Sequence, residues 1–165
     1  AQGFAVGLRA GGSVGSYTET AAGLELLPAP SFAVVLEAGV TRSVSGYAGF
    51  TRSAFRCEEG FCADRDVSLT SQGLIVGGRW DDGLPWVRVG LAVQDLRIRS
   101  ETRAETRDPG IGWDLAAGVT LPLGRRLRLR PGLTYLRHQA ATGEGGGHVA
   151  VFALEVGLVV GLGGG

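Results

Sequence analysis

Between Val149 and Val160 the chain alternates without a break. Ala150, Phe152, Leu154, Val156, Leu158 and Val160 fall on one face of an extended strand, and Val149, Val151, Ala153, Glu155 and Gly157 on the other, because strand side chains point to opposite sides with a period of two. The apolar stretch from His148 to Leu162 is short of the roughly 20 residues a helix needs to cross a bilayer. It is also longer than the usual strand of about 5–6 residues. Its one carboxylate, Glu155, stands mid-stretch on the less bulky face. A strand tilted through a membrane meets these demands, with one face toward lipid and the other toward a barrel interior.

The same alternation recurs along the chain. Phe4, Val6, Leu8 and Ala10 oppose Ala5, Gly7, Arg9 and Gly11; Phe32, Val34, Leu36 and Val40 oppose Ala33, Val35, Glu37 and Gly39. Val87, Val89, Leu91 and Val93 oppose Arg88, Gly90, Ala92 and Gln94. Ile111, Trp113, Leu115, Val119 and Leu121 oppose Gly112, Asp114, Ala116, Gly118 and Thr120, and Leu127, Leu129, Leu133 and Tyr135 oppose Arg128, Arg130, Gly132 and Thr134. Two segments are less regular. "VSLTSQGLIVGGRW" keeps its apolar residues on one side only if the phase slips near Ser71–Gly73, which predicts a bulge; beyond the slip Leu74, Val76 and Trp80 share the apolar side and Arg79 the other. "SGYAGFTRSAFR" is mixed and is read as a strand from its neighbours and its β-forming residues.

Short turns fall at Thr41–Val44, Asp81–Pro85 and Leu123–Arg126, and longer loops near Ser16–Pro30, Arg56–Asp66, Ser100–Gly110 and Gln139–Gly147. "AAGLELLPAP" within the first of these could hold a helix or a hairpin. The expectation is an all-β chain, one domain over residues 1–165, folded as an eight-stranded antiparallel up-and-down transmembrane β-barrel. Short turns at one end and longer loops at the other are the layout of such barrels.

Which face is outside decides between a membrane barrel and a soluble, lipocalin-like ligand-binding barrel, in which apolar residues would point inward. A soluble surface carries charge at roughly 25–35% of positions. Here the less bulky face is mostly Gly, Ala, Ser and Thr with sparse charge, and the chain holds 29 glycines. Small residues with occasional charges suit the narrow interior of an eight-stranded barrel. "GIGW" faintly echoes a lipocalin motif but lies deep in the chain. With its Gly-punctuated strands "GLRAG" and "GLVVG" and its strand–turn–strand rhythm, the chain resembles the small eight-stranded outer-membrane proteins of Gram-negative bacteria, of the OmpX or OmpA-transmembrane-domain type. The resemblance covers nearly the whole chain, is architectural, and implies the bacterial outer membrane and its lipid as surroundings. Those proteins commonly finish on an aromatic residue, whereas this sequence finishes "VVGLGGG". Its opening "AQGFAVG" suits the start of a mature exported chain.

Inward parity gathers Arg9, Glu37, Arg79, Arg88, Asp114, Arg128, Arg130 and Glu155. Closure puts the first strand between the second and the last, so Arg9 is expected to bridge Glu37, Glu155 or both, with Arg130 or Arg88 joining. A buried ion left alone costs several kcal/mol, so the interior is expected to be a plugged polar network. Trp80 and Trp86 flank the Asp81–Pro85 turn as candidates for an interfacial aromatic girdle. Tyr17, Phe55 and Trp113 are candidates for the other girdle.

Cys57 and Cys62, the only cysteines, are expected to form a small-loop disulfide in an oxidising compartment. A zinc site would need more Cys or His ligands nearby, so no metal or other cofactor is expected. Net charge is zero, and Arg128 and Arg130 of "RRLRLR" point inward by parity, so no nucleic-acid partner is implied.

Lipid-modifying outer-membrane enzymes are the rival class. Their hydrolytic members resemble one another in a His-x-Ser element, and neither His138 nor His148 is followed by serine two residues on. His138 faces inward and could join Ser68, Ser71 and Asp114 in an acid–base–nucleophile set, but no spacing singles that out. The expected role is non-catalytic: a structural or surface-interacting barrel whose loops meet an envelope or surface protein partner.

Overall fold

The computed structural model describes residues 3–19, 22–57, 67–101, 104–142 and 145–162. These form strands β1 (Phe4–Glu19), β2 (Ala22–Gly39), β3 (Val44–Cys57), β4 (Val67–Asp81), β5 (Pro85–Arg99), β6 (Ala104–Val119), β7 (Leu121–Pro122), β8 (Leu127–Thr142) and β9 (Gly145–Leu162). Each pairs antiparallel with its neighbour, and β1 closes on β9 from Phe4↔Leu162 to Glu19↔Gly147. β6 and β7 occupy one place in the wall, both paired to β8 and separated at Thr120. The result is a closed eight-stranded antiparallel barrel.

The turns at one end have local causes. Thr41 Oγ1 accepts from the N–H of Ser43 (3.3 Å) and of Val44 (3.0 Å), holding the β2–β3 reversal. Gly83, at φ +80°, takes the left-handed conformation the β4–β5 turn requires. At the other end the strands run further than the sequence predicts. Most of the expected loops at Ser16–Pro30, Ser100–Gly110 and Gln139–Gly147 are strand, and residues 22–30 are extended rather than helical. β1 has 16 residues and β9 has 18, against about 9–11 for a strand tilted through a bilayer. The barrel is therefore taller than a membrane requires.

The predicted slip at Ser71–Gly73 is not there: β4 pairs in continuous register with both β3 and β5. Val67, Leu69, Ser71, Ile75 and Arg79 are all buried, on one unbroken inward face. The apolar residues change sides because the interior itself changes along the barrel axis. The register shifts lie elsewhere, between Ser13 and Gly15, Leu27 and Ser31, and Gln94 and Leu96. The mixed pattern of β3 has the same origin. Tyr47 and Phe55 point in while Arg52 and Arg56 are exposed.

Two interiors follow. Toward the short turns the lumen holds ions. Toward the opposite end it holds a hydrocarbon core that includes Tyr17, Leu26, Phe55, Val67, Leu69, Leu96 and Leu136. Tyr17 and Phe55 therefore belong to this core and not to an outer girdle. Apolar side chains on the inside of these long strand ends have no lipid to face, and mutual burial is the way to remove them from water. The expected disulfide partner Cys62 lies outside the described residues.

Candidate functional site

The ionic half of the lumen is built on glycine rows. Tyr47, Gly77, Gly90 and Asp114 are successive cross-strand neighbours on β3, β4, β5 and β6. With no side chains on Gly77 and Gly90, the Tyr47 ring lies across both strands, and its hydroxyl donates to Asp114 Oδ2 at 2.7 Å. Arg88 completes this cluster: its Nε is 2.8 Å from Asp114 Oδ2, its Nη2 donates to Oδ1 at 3.0 Å, and its guanidinium carbon stands 5.3 Å from the Tyr47 ring centre.

A second row places Trp86. Its neighbours Gly118 and Gly132 on the adjoining strands leave the space its indole fills. Trp86 is 5% exposed. It is an interior residue and not part of an interfacial girdle, because two bare strands beside it offer a closer-fitting site than the bilayer surface. Trp80 and Trp113 are exposed on the outer wall.

Around these rows the charges pair. Arg9 Nη1 meets Glu155 Oε2 at 3.1 Å. Thr134 and Ser31 donate to the same carboxylate at 2.8 and 3.4 Å. Glu37 does not pair with Arg9. It accepts from Arg130 Nη1 at 2.8 Å on both oxygens and ion-pairs with Arg79. Asp81 lies 3.8 Å from Arg79 and 3.7 Å from Arg130, and accepts from Thr120 Oγ1 at 3.3 Å. Arg128 stands apart. It keeps inward parity but is exposed, since it sits one residue into β8 at the barrel rim. Asp81, Tyr47 and Ser31 are participants outside the faces that sequence parity gathered, and Thr134, inward by parity, joins them as a donor. The glycines at positions 77, 90, 118 and 132 were the available signal.

Four arginines and four carboxylates, Arg9, Arg79, Arg88 and Arg130 with Glu37, Asp81, Asp114 and Glu155, thus balance each other. The cavity left among them is about 30 Å³, room for one or two waters. No cluster of metal-ligating side chains occurs among the described residues.

Above this network, Ser71 Oγ and His138 Nε2 are 2.9 Å apart, and His138 Nδ1 is 3.0 Å from the Gln139 carbonyl. Since that carbonyl can only accept, Nδ1 carries the proton and Nε2 accepts from the serine. Asp114 belongs to the Tyr47–Arg88 cluster instead, and Ser68 is exposed on the outer face. Ser71 and His138 are each 1% exposed.

The outer wall of the same half is hydrocarbon. Phe4, Leu8, Leu36, Leu74, Val76, Val89 and Leu154 are all more than half exposed. A soluble barrel would not leave so continuous an apolar surface in water. No family model matches the sequence, and no curated protein matches it. Solved structures do match the fold. Neisserial surface protein A superposes with a TM-score of 0.66 at 15% identity, covering 95% of this chain and 96% of that one. Ail, the attachment invasion locus protein of Yersinia pestis, solved with the heparin analogue sucrose octasulfate, gives 0.59 at 12% identity, covering 96% and 99%. The outer membrane protease OmpT of Escherichia coli gives 0.54 at 8% identity, covering 97% of each chain. The lipid-facing wall and this shared fold define the class: a transmembrane β-barrel of the outer-membrane type.

Proposed function

We propose that the protein is a non-catalytic, non-porin barrel that stands in the outer membrane as a rigid pedestal and presents its far end to an envelope or surface partner. The observation that carries this reading is the filled lumen. A neutral ion network with about 30 Å³ of free space closes the lumen toward the short turns, which argues for a plug rather than a pore; the apolar core beyond it adjoins a wider cavity of about 550 Å³ between β1, β2, β8 and β9. The long strand ends support the pedestal role, since a scaffold that projects beyond the bilayer keeps its connecting segments clear of the lipid surface. In planar bilayers the purified protein should give no steady single-channel conductance at neutral pH. Regular, long-lived channels from the folded, heat-modifiable form would overturn the reading.

A second reading rests on Ser71 and His138, which have the separation of a nucleophile and its base. Against it stand their burial and the absence of a carboxylate on Nδ1, where a backbone carbonyl sits instead. The pair reads as a satisfied buried hydrogen bond. A fluorophosphonate probe should leave Ser71 unlabelled; labelling lost on His138→Gln would move the protein to the enzyme class.

A further inference from the structure

The ion pairs of the lumen leave hydrogen-bond donors over. Among the described residues Arg9 Nε, Arg79 Nε, Arg130 Nε and the Trp86 indole N–H are buried and meet no acceptor. They come from four strands, β1, β4, β8 and β5, and all four side chains line the cavity of about 30 Å³. The carboxylates there are already engaged. Glu155 accepts from Arg9, Thr134 and Ser31, and Glu37 is held between Arg79 and Arg130. Arginine and tryptophan side chains can only donate, and a buried donor without a partner forfeits the bond that water gave it. Four such donors around one cavity call for an acceptor. The charge around the cavity has the matching sign, although the network as a whole is neutral. Asp114 does not line the cavity and is turned to Arg88 and Tyr47. Asp81 does not line it either: it stands 3.8 Å from Arg79 and 3.7 Å from Arg130, past hydrogen-bond reach, with its side chain 17% exposed. With Arg88 matched by Asp114, the cavity is left with Arg9, Arg79 and Arg130 against Glu37 and Glu155, an excess of one positive charge.

From this placement we infer that the lumen cavity is a binding site for one small monovalent anion of the halide class, with chloride the ion of fitting size. A water molecule accepts from two of these donors and must then place its own protons. A halide accepts from all of them and supplies the missing negative charge. Space for one or two waters takes an ion slightly larger than water and excludes sulfate or phosphate. That space exists because Gly7, Gly132 and Gly157 stand among the lining residues. The guanidinium donors provide charge-assisted hydrogen bonds, and the indole adds a neutral donor that fixes position without further charge. Held there, the anion ties β1, β4, β5 and β8 together across the lumen and completes the plug.

The inference deepens the plug reading, on which it rests, and the two fail separately. The full chain in detergent micelles is unfolded with urea at constant ionic strength while sodium gluconate is replaced stepwise by sodium chloride. The midpoint should rise with chloride and level off as a single site fills. Trp86→Phe keeps a ring but removes the indole donor, and should weaken the apparent chloride affinity about tenfold or more. Gly7→Ala leaves every donor in place and sets a methyl group at the cavity wall, where its nearest neighbour, Val159 Cγ2, would be 3.4 Å away, an ordinary contact. It should weaken the chloride response in a barrel that still folds, and it stands in should Trp86→Phe not fold. In crystals grown with sodium bromide, anomalous scattering should place one ion within hydrogen-bond distance of Trp86 Nε1. A midpoint with no saturable response to chloride, an unchanged response in either folded variant, or a cavity that holds water alone in bromide would each overturn the anion site. Steady channels in planar bilayers would instead overturn the plug.

Discussion

The two halves of this barrel solve opposite solvent problems with the same strands. Toward the short turns, Leu74 and Val76 face out and Arg79 faces in; further along the same strand Leu69 and Val67 face in and Ser68 faces out. The first half is arranged for hydrocarbon outside and ions within. The second half has the inside-apolar arrangement of a water-soluble barrel, with Arg52, Arg56, Arg97 and Arg137 among its exposed residues. On β4 the change takes no shift of register, because parity fixes only which residues share a face. What each face meets is decided by depth relative to the bilayer.

Breaking the ionic half should have the largest effect. Glu37 holds two arginines, Arg79 and Arg130, in a site where all three are largely buried. Glu37→Ala leaves both cations short of an anion, and removing one partner of a buried pair costs about 3–5 kcal/mol. Urea unfolding in detergent micelles measures this. A loss below about 1 kcal/mol would show that the lumen is well hydrated and that the pairs matter little to folding.

Leu69→Ala tests the other half. In a packed core this truncation costs about 2–5 kcal/mol, and Leu69 is fully buried. Were the lumen polar and wet along its whole height, the same change would be close to neutral. The outer wall supplies the matching contrast at somewhat smaller cost. Leu74→Arg puts a charge on the lipid face, where about 2–4 kcal/mol is expected near the bilayer midplane. The native Arg52, one row further out on the adjacent strand, is tolerated at its own depth. Comparing Leu74→Arg with Arg52→Leu locates the boundary between the two regimes.

That boundary is also where the sequence was hardest to read. The closed antiparallel barrel, its short turns and the outward Leu and Val of the membrane half were legible, since they depend on alternation and turn residues alone. Arg9, Arg79, Arg88 and Arg130 share the inward face with Glu37, Asp114 and Glu155, and their charged groups meet in the lumen. Parity fails at Val67 and Leu69, where apolar residues on the inward face look like a phase slip. It fails again at Tyr17 and Phe55, aromatics near strand ends that face a second core and not a girdle. A rule assigning apolar residues to one side holds only within one solvent layer, and these strands cross two. Partner choice inside the lumen was not legible either, because it depends on side-chain reach: Arg9 adjoins both carboxylate-bearing strands yet settles on Glu155.

Trp86 offers the finest probe of how the ionic half is packed. A Cβ added at Gly132 would come within 2.6 Å of Trp86 Cζ2 and 3.0 Å of Cη2, and within 2.7 Å of the Ala117 carbonyl oxygen. Gly132→Ala should therefore cost about 1–3 kcal/mol through overpacking. Trp86→Phe removes both ring atoms that the new methyl would strike, so the double variant should lose less than the two single variants added together. The relief is partial, because the Ala117 contact stays. Strict additivity of the two changes would mean that the indole does not occupy the glycine row and that Trp86 lies on the other side of the wall.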